Sequence, residues 1–135
     1  MSPKKILIVD DEPDVLAYLS AVLESNGYKS FPAGDIKTAA QLVKKIHPDL
    51  ICLDIVMPKE TGISFYIKLQ REKEFKDIPV IIISGIIESE KFNFRSYVKD
   101  ESISAPKFYM EKPIDVNNFI RNIKQLTGQD NDRTS

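Results

Sequence analysis

Three short runs of nearly unbroken aliphatic character, Ile6-Leu7-Ile8-Val9, Leu50-Ile51-Cys52-Leu53 and Val80-Ile81-Ile82-Ile83, each stop at a polar residue. A β-branched run of this length, apolar on both faces, is a strand with no solvent side, as the interior of a parallel sheet requires. Parallel neighbours need crossover connections, which are right-handed and usually helical. The stretches between the runs carry the helical period. Pro13 suits a first helical turn, and Val15, Leu16, Leu19, Val22 and Leu23 then recur on one face until Asn26-Gly27 stops the helix. Gly34-Asp35 caps a second helix with Ile36, Ala39, Ala40 and Val43 inward, ended by His47-Pro48. A third helix runs from Thr61-Gly62 to about Glu72 with Ile63, Tyr66, Ile67 and Leu69 inward, Gly62 permitting a tight turn. Val116, Phe119, Ile120 and Ile123 mark the last helix, stopped at Gly128.

Residues 28–31 and 107–111 complete the set as two further strands. Between residues 86 and 106 the period is blurred: Phe94, Tyr97 and Val98 suggest one more helical face, and residues 99–106 read as a loop. Five strands alternating with five helical patterns predict an α/β fold. It is a doubly wound, five-stranded parallel sheet with helices on both faces and the flavodoxin-like strand order 2-1-3-4-5. With 135 residues and 42% hydrophobic content the chain has one real core, so residues 1–128 form one domain and 129–135 a polar tail.

Acids and bases nearly cancel, for a formal charge of −1, so no basic field draws nucleic acid or an anionic membrane. No apolar run approaches a membrane span, and residues 1–5 lead into a strand rather than a signal peptide. The single cysteine, Cys52, lies inside a strand, where a thiol is inert core. The expectation is a soluble, cytoplasmic protein whose partner is another protein or a small ligand.

The chemistry lies at the carboxyl ends of the strands, where open α/β sheets bind ligands. The first strand ends in Asp10-Asp11, the third in Asp54, the fourth in Ser84-Gly85 and the fifth in Lys112-Pro113. Aspartate also starts turns before proline, so the position of Asp54 alone leaves both readings open. Three carboxylates in one crevice repel one another unless a cation joins them, and oxygen-only ligands with room for water and phosphate suit Mg²⁺. A lysine and a hydroxyl facing that ion are what an incoming phosphoryl group needs, and an ionised aspartate there can itself be the nucleophile.

The set Asp10-Asp11, Asp54 followed by Met57-Pro58 and Gly62, Ser84-Gly85 and Lys112-Pro113 resembles the receiver domain of two-component response regulators, over essentially the whole chain. The resemblance implies a stand-alone, single-domain phosphoacceptor in a His-Asp phosphorelay. Asp54 would take a phosphoryl group from a phosphohistidine on a sensor histidine kinase or histidine phosphotransfer protein, and thereby switch a protein-binding surface toward an unknown downstream protein. It further implies Mg²⁺ held by Asp11, Asp54 and the backbone carbonyl of Val56, with Asp10 acting nearby through water. Lys112 would contact the phosphoryl group, Ser84 would swing toward it, Tyr109 would move inward behind Ser84, and the peptide before Pro113 would be cis. Such a domain is a phosphoacceptor that catalyses its own phosphotransfer and slow dephosphorylation rather than an enzyme with turnover.

Other readings of these residues compete with the resemblance. Tyr109 also fits half-buried packing, Lys112 a surface ion pair, and His47 an exposed loop position. Glu12 either adds to the field of the metal site or sits at a helix N-terminus, where negative charge is favourable. The stretch from Ser84 to Lys112 is longer than receivers usually have and lacks their common Gly-Ala pair, so its surface is expected to select a particular partner. Val56 and Ile86, two residues beyond Asp54 and Ser84, offer no side chain that orients water, which predicts slow self-dephosphorylation. A flavodoxin-like cofactor binder is disfavoured because Asp10-Asp11-Glu12 would repel a phosphate. A Mg²⁺-dependent phosphatase with an aspartyl intermediate would want a second acid just after Asp54, where Ile55, Val56 and Met57 stand. A receiver-like module that only binds proteins would not need the intact acids, Ser84 and Lys112.

Overall fold

The computed structural model describes residues 3–55, 62–85 and 99–128. Among them the chain runs β1 (Lys5–Val9), α1 (Pro13–Ser25), β2 (Lys29–Ala33), α2 (Ile36–Ile46), β3 (Leu50–Asp54), α3 (Gly62–Arg71), β4 (Val80–Ser84), β5 (Phe108–Glu111) and α4 (Val116–Thr127). The helix expected within residues 86–106 falls largely on residues 86–98, outside the described residues. The strands make one sheet of order β2-β1-β3-β4-β5, every pair parallel. The expected doubly wound architecture is therefore present. β2 starts at Lys29 rather than Tyr28 and continues to Ala33, its Pro32 tolerated because the strand is an edge.

Alternation along each strand divides the core in two. Leu7, Val9, Ile51, Leu53 and Ile82 face α2 and α3, packing with Ala39, Val43, Phe65, Tyr66 and Leu69. Ile6, Ile8, Leu50, Cys52, Ile81 and Ile83 face α1 and α4, packing with Leu19, Leu23, Phe119 and Ile123. Each such aliphatic side chain contributes roughly 1.5–3 kcal/mol by leaving water, which holds the three central strands in a single register.

Local signals set the helix ends. Pro13 occupies the first turn of α1, and Gly27 turns the chain at φ 88°. The Asp35 carboxylate accepts the Thr38 N–H at 2.7 Å and so caps α2, and His47 closes that helix in the left-handed region at φ 49°. The Asp115 carboxylate accepts the N–H groups of Asn117 and Asn118 at the start of α4, and Gly128 ends it at φ 82°.

The segment before β5 is moored rather than free. Ile103 is buried in the core cluster on the α2 and α3 side of the sheet, the Tyr66 hydroxyl donates to the Ser104 carbonyl at 2.6 Å, and the Asp100 carboxylate accepts from the Ser102 N–H and hydroxyl.

Candidate functional site

Parallel strands end together, so their last residues meet at one edge. Asp10 follows β1 and keeps its backbone in the sheet through an N–H bond to the Ala33 carbonyl at 3.1 Å; its side chain is buried. Asp54 is the last residue of β3, paired with Ile83, and only 4% exposed. Asp11 lies on the solvent side. Carboxylate oxygens of Asp10, Asp11 and Asp54 all lie within 4.8 Å of one another. Lys112, just past β5 and joined to Pro113 by a cis peptide, brings its ammonium to the same edge. Its Nζ stands 2.9 Å from Asp10 Oδ2, 3.3 Å from Asp54 Oδ2 and 3.5 Å from Glu12 Oε1.

Burial by itself pushes the Lys112 ammonium toward lower pKa, but the Asp10 and Asp54 carboxylates overcome it and hold the group above the usual lysine range. The crevice still carries more negative than positive charge, with three aspartates against one ammonium. An all-oxygen donor set this close is what a hard divalent ion takes, and Mg²⁺ needs only one or two carboxylates beside its waters. The residues present therefore fit Mg²⁺.

A glycine shapes the site from behind. Gly62 opens α3, and its N–H donates to the Ile55 carbonyl at 3.0 Å. A Cβ on Gly62 would fall 2.1 Å from the Asp54 carbonyl oxygen and 2.8 Å from the Ile55 Cα. The backbone of the β3 exit and the start of α3 can touch only because no side chain stands between them.

Of the residues picked out from the sequence, the fold brings Asp10, Asp11, Asp54 and Lys112 together. Ser84 ends β4 one residue beyond Ile83, the partner of Asp54, so its backbone reaches the same edge. Val56 and the side chain of Ser84 lie outside the described residues. Tyr109 pairs with Ile82 on β5 and is 37% exposed, with its hydroxyl pKa raised by partial burial. His47 stands apart, 3.4 Å from Glu74 and beside the Phe75 ring. Two features escaped sequence reasoning. Glu12, expected to add to the field of the metal site or to sit at a helix N-terminus, contacts Lys112 a hundred residues away. Gly62, expected to ease a turn, admits a close backbone contact; a glycine at a helix start after a strand end is the only local hint.

An open parallel sheet of this order, with acids and an amine at its carboxyl edge, defines the class of doubly wound α/β domains with a switch-point ligand site. Within that class, the response regulator receiver domain model matches residues 6–124, and the chain belongs to this family of two-component receiver domains. It is 32% identical over 124 residues to the DNA-binding dual master transcriptional regulator RpaA of Synechocystis, covering 90% of this chain and 48% of that protein. It is also 32% identical over 123 residues to the phosphate regulon transcriptional regulatory protein PhoB of Escherichia coli, covering 91% and 51%. The chain thus spans about half the length of these relatives. The polar-differentiation response regulator DivK of Brucella ovis is 28% identical over 126 residues, covering 93% of this chain and 97% of that one. The fold is that of the Vibrio cholerae chemotaxis protein CheY4, at TM-score 0.79 and 22% identity over 93% and 99% of the two chains. Among the described residues, no helix is long and apolar enough to cross a membrane.

Proposed function

We propose that this receiver domain accepts a phosphoryl group on Asp54 from a phosphohistidine of a sensor histidine kinase or histidine phosphotransfer protein. The convergence of the Asp10, Asp11 and Asp54 carboxylates with the Lys112 ammonium at one strand edge carries this reading. A carboxylate oxygen of Asp54 attacks phosphorus in line with the breaking P–N bond, and the released imidazole takes up a proton. The Lys112 ammonium, already within 3.3 Å of that carboxylate, compensates the charge on the transferring oxygens. Asp11, Asp54 and the Val56 carbonyl would hold Mg²⁺, with Asp10 beside it through water; the ion would neutralise the clustered acids and draw the phosphoryl oxygens in. Ser84 would add a hydroxyl donor, and the half-exposed ring of Tyr109 would carry the change outward along β5. The output is an altered protein-binding surface on a domain that transfers phosphate to itself and does not turn over a substrate.

Incubation with acetyl phosphate and Mg²⁺, followed by intact mass measurement, tests this directly. A mass gain of one phosphoryl group that persists for minutes and is abolished in Asp54→Asn is expected. Rapid release of inorganic phosphate without a stable adduct would favour an aspartyl-intermediate phosphatase, and no adduct at all would leave a protein-binding module.

A further inference from the structure

Glu12 occupies the N-cap position of α1, yet its side chain makes no capping hydrogen bond. Ser, Thr, Asp or Asn would serve the helix better there. The Glu12 backbone is nevertheless pinned, its N–H donating to Asp10 Oδ1 at 2.9 Å and its carbonyl accepting the Leu16 N–H at 3.1 Å. The free carboxylate goes instead to Lys112 Nζ, at 3.5 Å. That ammonium has three N–H donors and three carboxylates in reach: Asp10 and Asp54, both buried, and Glu12, whose side chain is 59% exposed.

We infer that Glu12 is a positioning residue for Lys112, an outer tether that holds the ammonium at the mouth of the crevice and releases it when a phosphoryl group arrives. The inference rests on the reading of the crevice as a Mg²⁺ and phosphoryl site. Its physical basis is the unequal hold of the three acids. Asp10 and Asp54 grip the ammonium from buried positions, whereas an exposed ion pair is weak and easily exchanged. Lys112 can therefore leave Glu12 at little cost and need not abandon the buried acids. While the tether is made, the ammonium is shared among three carboxylates, and less of its charge is committed to Asp54. Without it, Lys112 settles onto Asp10 and Asp54 and competes more strongly with a divalent ion for the same oxygens.

A double-mutant cycle on Mg²⁺ affinity, followed by isothermal titration or fluorescence at 0.15 M salt, separates this from a simple field effect. Glu12→Gln is expected to weaken Mg²⁺ binding about two- to fivefold, the range of an exposed contact pair. The same substitution in a Lys112→Met background is expected to change it by less than about 1.5-fold, because the tether has nothing left to hold. Equal losses in both backgrounds would overturn the tether while leaving the ion site intact. The Lys112 ammonium resonance of the metal-free domain gives a readout that needs no ion. In Glu12→Gln it should shift and exchange faster with water, and an unchanged resonance would overturn the proposal. If that resonance moves but no variant binds Mg²⁺, the tether stands and the cation site is what fails.

Discussion

Substituting Gly62 by alanine tests whether the site depends on a backbone contact rather than on its charged residues alone. A Cβ there would sit 2.1 Å from the Asp54 carbonyl oxygen, 2.8 Å from the Ile55 Cα and 3.0 Å from the Asp54 carbonyl carbon. Non-bonded heavy atoms settle at roughly 3.5 Å, so the start of α3 and the β3 exit must part by more than about 1 Å. All three obstacles are backbone, so no rotamer change relieves them. Overpacking of this kind costs about 1–3 kcal/mol, and loss of the Gly62 N–H bond to Ile55 adds about 0.5–1.5 kcal/mol. At about 2.1 cal/mol/K per residue, 135 residues unfold with an entropy near 0.28 kcal/mol/K, so a loss of about 2–4 kcal/mol lowers the melting temperature by about 7–14 °C. Because the displaced atoms belong to Asp54, the residue proposed to bear the nucleophile, the rate of phosphorylation by acetyl phosphate should fall as well. Gly34 supplies the control: a Cβ there meets nothing within 4 Å, and Gly34→Ala should leave both melting temperature and rate nearly unchanged. A Gly62→Ala protein that melts within a degree or two of the Gly34→Ala protein would refute the reasoning.

Three further outcomes are expected. The folded state raises the Lys112 pKa, so its contribution to stability is fully present below the unfolded lysine value near 10.4 and is lost as pH rises through the higher folded value; urea midpoints should fall more steeply above about pH 10.5 in the native sequence than in Lys112→Met. Cys52 is fully buried and burial pushes its thiol pKa up, so a thiol reagent at pH 8 should label it only at the rate of unfolding; prompt labelling of the folded protein would contradict the core assignment. Introducing Val56→Asn with Ile86→Glu should hasten loss of the phosphoryl group several-fold as monitored by mass, and an unchanged or longer lifetime would contradict the expectation that Val56 and Ile86 slow self-dephosphorylation.

Much of the fold is legible locally. The span of α1 follows from Pro13, the apolar stripe and Asn26-Gly27; the start of α2 follows from Asp35, which caps it through Thr38. The unbroken runs ending at Val9, Leu53 and Ile83 announce buried strands because no solvent-facing period is present in them. The segment before β5 is less legible. Ile103 looks like one apolar residue in a polar loop, yet it is anchored in the α2 and α3 core, and the Tyr66 hydroxyl that fixes the next residue lies 38 positions away. Phe65, absent from the expected inward face of α3, is likewise buried, in the core cluster shared with Leu53, Ile82 and Leu69.

The sequence by itself determined the parallel sheet and the acids, hydroxyl and lysine at its strand ends, because hydrophobic period and strand polarity are local properties that survive without neighbours. Tertiary structure alone decided what those residues do to one another. Lys112 bridges Asp10 and Asp54, Glu12 reaches it from an uncapped helix start, and Gly62 lies against the Asp54 carbonyl. Such distances exist only once the strands are laid side by side, since parallel register carries residues a hundred positions apart to a common edge.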